Sequence, residues 1–181
     1  KEVMEAAEAA GKELAFEASV GGGIPIIDPL KHSLIANEIT SVMGIVNGTT
    51  NYMLTRMADN GLSYEDALHE AQQKGFAEAD PTADVGGFDA AAKIAILASI
   101  AFNSRVTLDD VFTDGITNIS PVDIEAARDM GYVIKLLAIA HRREDGVDVR
   151  VHPTMIPTNH PLATVNGVFN AILVQGNMVD Q

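Results

Sequence analysis

Apolar and polar positions divide the chain into short periodic runs punctuated by glycine and proline. Positions 2 to 10 (EVMEAAEAA) are helix formers throughout, and Gly11 supplies a stop. Leu14 to Val20 predicts a strand, followed by Gly21-Gly22-Gly23 and an abrupt turn at Ile24-Pro25. Ile26 to Ile35 reads as a short helix despite Pro29, and Ile39 to Val46 as a second strand ending at Asn47-Gly48. Thr49 or Thr50 can cap a helix running to about Ala58. Ser63 opens another, with Asp66 standing in for the usual capping-box Glu or Gln, and that helix ends near Lys74-Gly75. Positions 75 to 88 form a loop, and a long helix follows from about Gly87 to Phe102. Asp109 and Asp110 fall in a connector. Pro121 to Gly131 is a helix with Ser120 as cap and Pro121 at its first position. Tyr132 to His141 fits either helix or strand, whereas Val147 to Pro153 and Gly167 to Val174 alternate as strands. This order predicts an α+β domain, a mixed β-sheet covered by helices.

Composition narrows the function. A chain of 181 residues buries enough surface for one core, and neither repeats nor a dividing linker appear. There is no cysteine, which excludes disulfides, cysteine-based zinc sites and a thiol nucleophile, and fits a cytoplasmic location. Asp and Glu exceed Lys and Arg by 25 to 12, a net charge of −13. Nucleic acid is therefore not an expected partner, because phosphate binding needs a basic face. Trp is absent and aromatics are few, so no base-stacking surface is expected either. The longest apolar stretch, Ala90 to Phe102, is interrupted by Lys93 and falls short of the roughly 20 residues of a membrane span. No signal peptide is visible; the chain starts without Met inside a helical pattern, and Gln175 to Gln181 ends without a cap. Both ends suggest an excerpt of a longer polypeptide.

The long helix carries the first candidate chemistry. Apolar side chains cover nearly its whole circumference, which predicts burial on most sides. Asp89 and Lys93 interrupt it four residues apart, so they share a face and can touch. On an ordinary amphipathic helix such a pair is a surface ion pair of little energetic worth. Here no polar face hosts it, and the better reading is a pair lining a cleft, with the lysine tuned by its carboxylate neighbour. The preceding loop adds Glu78, Asp80 and Asp84. These acids serve as caps and solvated turns, or bind Mg²⁺ or Ca²⁺, or hold the ammonium of a zwitterionic substrate whose reacting oxygen meets the lysine. Gly21-Gly22-Gly23 lacks G-x-G-x-x-G spacing and reads as a carbonyl-lined turn rather than a nucleotide loop. Asn47 to Thr50 is either a plain turn with a cap or a set of backbone N–H groups for a carboxylate. The five histidines show no ligand spacing and are taken as structural or surface residues.

These residues carry a resemblance. The stretch from Ala71 to Lys93 (AQQKGFAEADPTADVGGFDAAAK) is similar to the signature of homoserine dehydrogenases. The likeness extends to Phe16 through Ile26 (FEASVGGGIPI), to Gly44 through Asn51 (GIVNGTTN), and to His152-Pro153, Pro161-Leu162-Ala163 and Gly167. It implies the family's catalytic domain, which binds substrate and dimerises, and NAD(P)-linked interconversion of L-homoserine and L-aspartate 4-semialdehyde on the route to threonine, methionine and isoleucine. By resemblance, Lys93 is the acid/base lysine and Asp89 positions substrate and lysine. Glu78 binds the substrate amino group, and Asp84 lies in the same loop. Gly48 and Thr49 approach the substrate and Gly75 the dinucleotide. The family's monovalent cation, usually sodium, maps to the Glu17 side chain and the carbonyls of Val20, Gly22 and Ile24.

The family's nucleotide-binding half, with its G-x-G-x-x-G loop, has no counterpart in this sequence. Nor does a second catalytic lysine, expected just upstream of residue 1, or a C-terminal segment returning to the nucleotide domain. The resemblance therefore implies a homodimeric substrate-side domain that is inactive alone. Two other classes stay open: a small-molecule binding module that lost catalysis, and a divalent-metal enzyme built on the 78–84 acids.

Overall fold

The computed structural model describes residues 2–178. Lys1 and positions 179–181, which bear the expected open ends, lie outside that range. Helix α1 (Glu2–Ala9) forms as the run of helix formers predicts, and Gly11 follows with a left-handed φ of 60°. The expected strand at Leu14 to Val20 does not form. No sheet neighbour flanks this segment; Phe16 packs on the core, and the Glu17 carboxylate accepts from the backbone N–H groups of Ile26, Ile27 and Asp28 at 2.5, 2.6 and 2.9 Å. The expected helix at 26 to 35 contracts to a π-helical turn, Pro29–Ser33. Proline has no N–H for an ordinary helical bond, and the Leu34 N–H reaches back five residues to the Pro29 carbonyl at 2.8 Å.

Strand β1 (Ile39–Ile45) runs into α2 (Gly48–Asn60), then α3 (Tyr64–Gln73), the short α4 (Thr82–Val85) and the long α5 (Phe88–Ala101). The cap of α2 is Asn47, not Thr49 or Thr50: its Oδ1 accepts from Thr50 N at 2.9 Å. Ser63 Oγ caps α3 by accepting from Asp66 N. After α5 come β2 (Phe112–Thr113), α6 (Pro121–Asp129) with a complete Ser120–Asp123 capping box, β3 (Tyr132–Arg143), β4 (Gly146–Pro157) and β5 (Ala171–Gly176).

The sheet order is β2-β4-β3-β1-β5, antiparallel except where β2 lies parallel to β4. The ambiguous stretch after Tyr132 is a strand because it is paired on both sides, by β4 and β1. Strand β4 continues past Pro153 because β2 covers only Arg150 and Val151, so proline removes no needed donor. Val42, Leu136, Ala138, Ala140, Val149 and Val151 face the helices and pack with Met53, Leu54, Met57, Ile94 and Leu97. The opposite face holds a smaller cluster, Ile45, Leu137, Ile139 and Ile156 under Leu162 and Ala163. On that face Lys135 is only 3% exposed, and its ammonium donates to Val165 O, Asn166 Oδ1 and Asn51 Oδ1. Helix α5 is buried or half-buried at every position but Phe88 and Ala92, in keeping with burial on most sides. On its remaining face Ile96, Ser99 and Ile100 line an open groove with Leu14 and Phe16. No helix among the described residues is long and apolar enough to cross a membrane.

Two contacts hold the segment between α3 and α5. Gly115 lies so close to the end of α4 that a Cβ there would stand 2.1 Å from Val85 O, and Ile116 N–H donates to that carbonyl. Glu70 on α3 accepts from Lys74 Nζ, Tyr52 Oη and Arg56 Nε, tying α3 to α2. Hydrogen bonds from Lys74, Tyr52 and Arg56 hold the Glu70 carboxyl down at about 2, from an ordinary 4.5. A lowered carboxyl pKa stabilises the fold above the unfolded-state value and loses that effect as pH falls towards the folded value. Glu70→Gln is thus expected to unfold more readily than the parent at pH 5 and above. In urea titrations that difference should fade between about pH 4.5 and 2, and a pH-independent difference would refute the assignment.

Candidate active site

The site forms where four elements meet. Strand β1 ends at Ile45 and is followed by Val46 and Asn47; α2 begins at Gly48; α3 ends before Gly75; α4 and the first turns of α5 carry Asp84, Asp89 and Lys93. A left-handed Gly87, φ 83°, turns the chain from α4 into α5. The geometry then follows from helical spacing. Lys93 Nζ donates to Asp89 Oδ2 at 2.7 Å, one turn back, and to the Val46 carbonyl at 2.9 Å. Lysine and aspartate side chains are 24% and 31% exposed, so the pair is neither in bulk solvent nor sealed in the core. An ammonium has three N–H donors; the third has no partner among the described residues.

A cleft of about 350 Å³ opens beside this pair, lined by Gly75, Phe76, Glu78, Asp80, Asp84 and Asp89 among others. That volume suits a small metabolite. The Glu78 carboxylate makes no hydrogen bond among the described residues, although its backbone carbonyl is pinned by Gln72 Nε2 at 3.1 Å. The Asp80 carboxyl, by contrast, accepts from Thr82 Oγ1 and N, and those bonds hold it below the usual carboxylate range. Among the described residues no three Asp, Glu or His side chains are arranged to hold a metal ion.

The remaining predicted positions divide. Gly48 and Thr49 form the first turn of α2, but the Thr49 hydroxyl donates to the Phe76 carbonyl at 2.6 Å, leaving only its backbone N–H for a ligand. Gly48 admits the 165–170 segment, since a Cβ would lie 2.9 Å from Val168 O. Gly75 has φ 75° with open space around it, so another molecule can approach its backbone closely. Glu17, Val20, Gly22 and Ile24 share the irregular 12–26 segment, and none lines the cleft. His32, His69, His152 and His160 bond to residues within four positions of themselves, as at His32 with Asp28 and His152 with the Pro153 carbonyl and the Thr154 hydroxyl.

Asn47 is the residue that the sequence pattern missed. It is 6% exposed, and its Nδ2 donates to Asp84 Oδ1 at 2.7 Å and to Asp89 Oδ2 at 2.9 Å. Its only sequence signal is a strong capping residue two places before the first position expected to cap.

Comparison with known proteins gives a consistent family. The family model described as homoserine dehydrogenase matches residues 25–181. A homoserine dehydrogenase of Corynebacterium glutamicum is 56% identical over 96% of this chain and 40% of its own length. One from Synechocystis is 54% identical over 99% of this chain and 42% of its own. The crystal structure of a homoserine dehydrogenase from Thiobacillus denitrificans superposes with a TM-score of 0.95 at 47% identity, covering 99% of this chain and 42% of that one. The chain thus spans about two fifths of the length of these relatives.

Proposed function

We propose that this chain, which belongs to the homoserine dehydrogenase family, forms the substrate-binding half of an oxidoreductase that interconverts L-homoserine and L-aspartate 4-semialdehyde. The observation that carries the reading is one half-buried ammonium, Lys93, held by Asp89 at the edge of a small acidic cleft. The substrate is zwitterionic. Glu78, unpaired on the cleft wall, takes its ammonium group, with Asp84 adding negative charge. The first N–H groups of α2, at Gly48 and Thr49, suit its carboxylate.

NAD(P), when bound, supplies the hydride acceptor or donor at the terminal carbon. During alcohol oxidation Lys93, as the free amine, takes the hydroxyl proton as the carbon loses hydride; in the reverse direction its ammonium returns that proton to the carbonyl oxygen. Asp89 fixes the lysine's aim. The open backbone at Gly75 is compatible with a dinucleotide crossing the cleft mouth. No nucleotide-loop motif occurs in this sequence, so most of the cofactor's contacts are assigned to the remainder of the protein.

A monovalent cation also fits the donor set in the 17–24 segment. Glu17 supplies one carboxylate, anchored by three backbone donors. The carbonyls of Val20, Gly22 and Ile24 accept no hydrogen bond from the described residues. Sodium is assigned there. The open edge of β5 and the half-buried outer sheet face support a homodimer, and the pathway assignment to threonine, methionine and isoleucine follows the substrate.

The test uses the complete enzyme containing this chain. A charge-assisted hydrogen bond contributes about 1.5–3 kcal/mol, so Glu78→Gln should raise KM for homoserine roughly 10- to 100-fold with a smaller change in kcat. The variant should also lose the parent's preference for homoserine over 4-hydroxybutyrate, which has no amino group. An unchanged KM and preference would remove Glu78 from the substrate site.

A further inference from the structure

We propose that Asn47 is a positioning residue for the reaction, a neutral amide bridge that holds Asp84 and Asp89 together and thereby sets the direction of Lys93. The inference rests on the reading of Lys93 as the acid/base group. The orientation of the amide follows from its neighbours. Its oxygen accepts from the Thr50 N–H at 2.9 Å and the Thr50 hydroxyl at 2.8 Å, while its nitrogen meets the two carboxylate oxygens. Reversing it would place oxygen against two carboxylates and nitrogen against a backbone donor, so only one orientation satisfies all four groups.

The consequence is mechanical and electrostatic. Asp84 sits on α4 and Asp89 on α5, and two like charges this close would separate if nothing lay between them. Both N–H bonds of one buried amide lie there instead. Asp89 Oδ2 then accepts from two fixed donors, Asn47 from the end of β1 and Lys93 from α5. A carboxylate restrained from two elements cannot rotate with the lysine, so the ammonium is held at a fixed position beside the cleft that Asp84 and Asp89 line. The two roles of Asn47 are chemically separable. Capping of α2 uses the side-chain oxygen, which serine also provides. Bridging uses the nitrogen, which neither serine nor aspartate provides.

The experiment measures Asn47→Ser and Asn47→Asp in the complete enzyme, with Lys93→Ala and the Asn47→Ser/Lys93→Ala double variant alongside. Asn47→Ser should lower kcat at least 10-fold, with KM for the dinucleotide within about twofold and Tm within a few degrees of the parent, because the cap survives. Asn47→Asp should lower kcat at least as far and move the pH profile of kcat upwards. Its added charge faces Asp84, Asp89 and Lys93 and favours protonated forms. In the Lys93→Ala background, Asn47→Ser should cost less than about threefold, since no ammonium remains to be aimed. The same fold-loss in both backgrounds, or an Asn47→Ser enzyme with parental kcat, overturns the positioning role while leaving Lys93 in place. Parental turnover in Lys93→Ala alone overturns the underlying reading instead.

Discussion

Replacing Lys93 with alanine in the complete enzyme is expected to lower kcat for homoserine oxidation by about 10²- to 10⁴-fold, the range for removal of a general acid or base. KM for homoserine should change much less, because Glu78 and the α2 N-terminus supply the binding contacts. The structure favours a catalytic over a structural role for this side chain. An ion pair kept for stability is either solvated and nearly worthless or buried with all donors satisfied. Lys93 fits neither description: it is 24% exposed beside the cleft-lining Asp89, with two of its three donors engaged and the third without a partner among the described residues. Lys93→Arg should not restore turnover, since a guanidinium keeps its proton throughout the working pH range. Exogenous methylamine should partly restore the alanine variant. Turnover near the parental value in Lys93→Ala would end the assignment.

Local patterns were legible where local physics decides the outcome. The i, i+4 spacing of Asp89 and Lys93 requires only that the helix form, and the 2.7 Å contact is what that spacing predicts. Ser120 capping α6 and Gly75 ending α3 are likewise decided within a few residues. Other features depend on distant chain. Leu14 to Val20 has strand-like composition, but a strand needs a partner, and Glu17 is instead bound to the turn at 26–28. Strand β2 is two residues long and exists only because β4 passes beside it. The capping pattern points to Thr49 or Thr50 rather than Asn47, and the bridge from Asn47 is invisible to it because Asp84 and Asp89 lie 37 and 42 residues further along. The all-round apolar pattern of α5 predicts burial on most sides, as found, but not that one face borders an open groove.

Lys135 was the least legible residue, and its replacement should have the largest effect on stability. A single lysine in an apolar strand ordinarily extends into solvent. Here its side chain points from β3 under the 165–169 segment and satisfies Val165 O at 2.7 Å, Asn166 Oδ1 at 2.8 Å and Asn51 Oδ1 at 3.2 Å. Asn51 in turn donates to the carbonyls of Val165 and Phe169. The ammonium thus fastens that segment to the first turn of α2, where Gly48 meets Val168. Lys135→Met keeps most of the volume but strands the buried Asn51 Oδ1 and the half-buried Val165 carbonyl, while the exposed Asn166 turns to water. At about 1–3 kcal/mol for each unsatisfied buried group, partly offset by no longer burying a charge, the net loss should be about 2–4 kcal/mol. For a domain of this size that lowers Tm by roughly 5–15 °C. Burial pushes the Lys135 pKa down to about 8, against the opposing pull of Asp59. The unfolded chain therefore holds this proton more tightly than the folded one, and the parent gains stability as pH rises from 8 towards 10.4. The gap between parent and Lys135→Met should accordingly be smallest near neutrality and widen through that interval. Thermal unfolding of both at pH 7 and pH 9.5 measures it, and a gap that narrows with rising pH would show that the three acceptors hold the proton more tightly in the folded chain than in the unfolded one, against the lowered pKa.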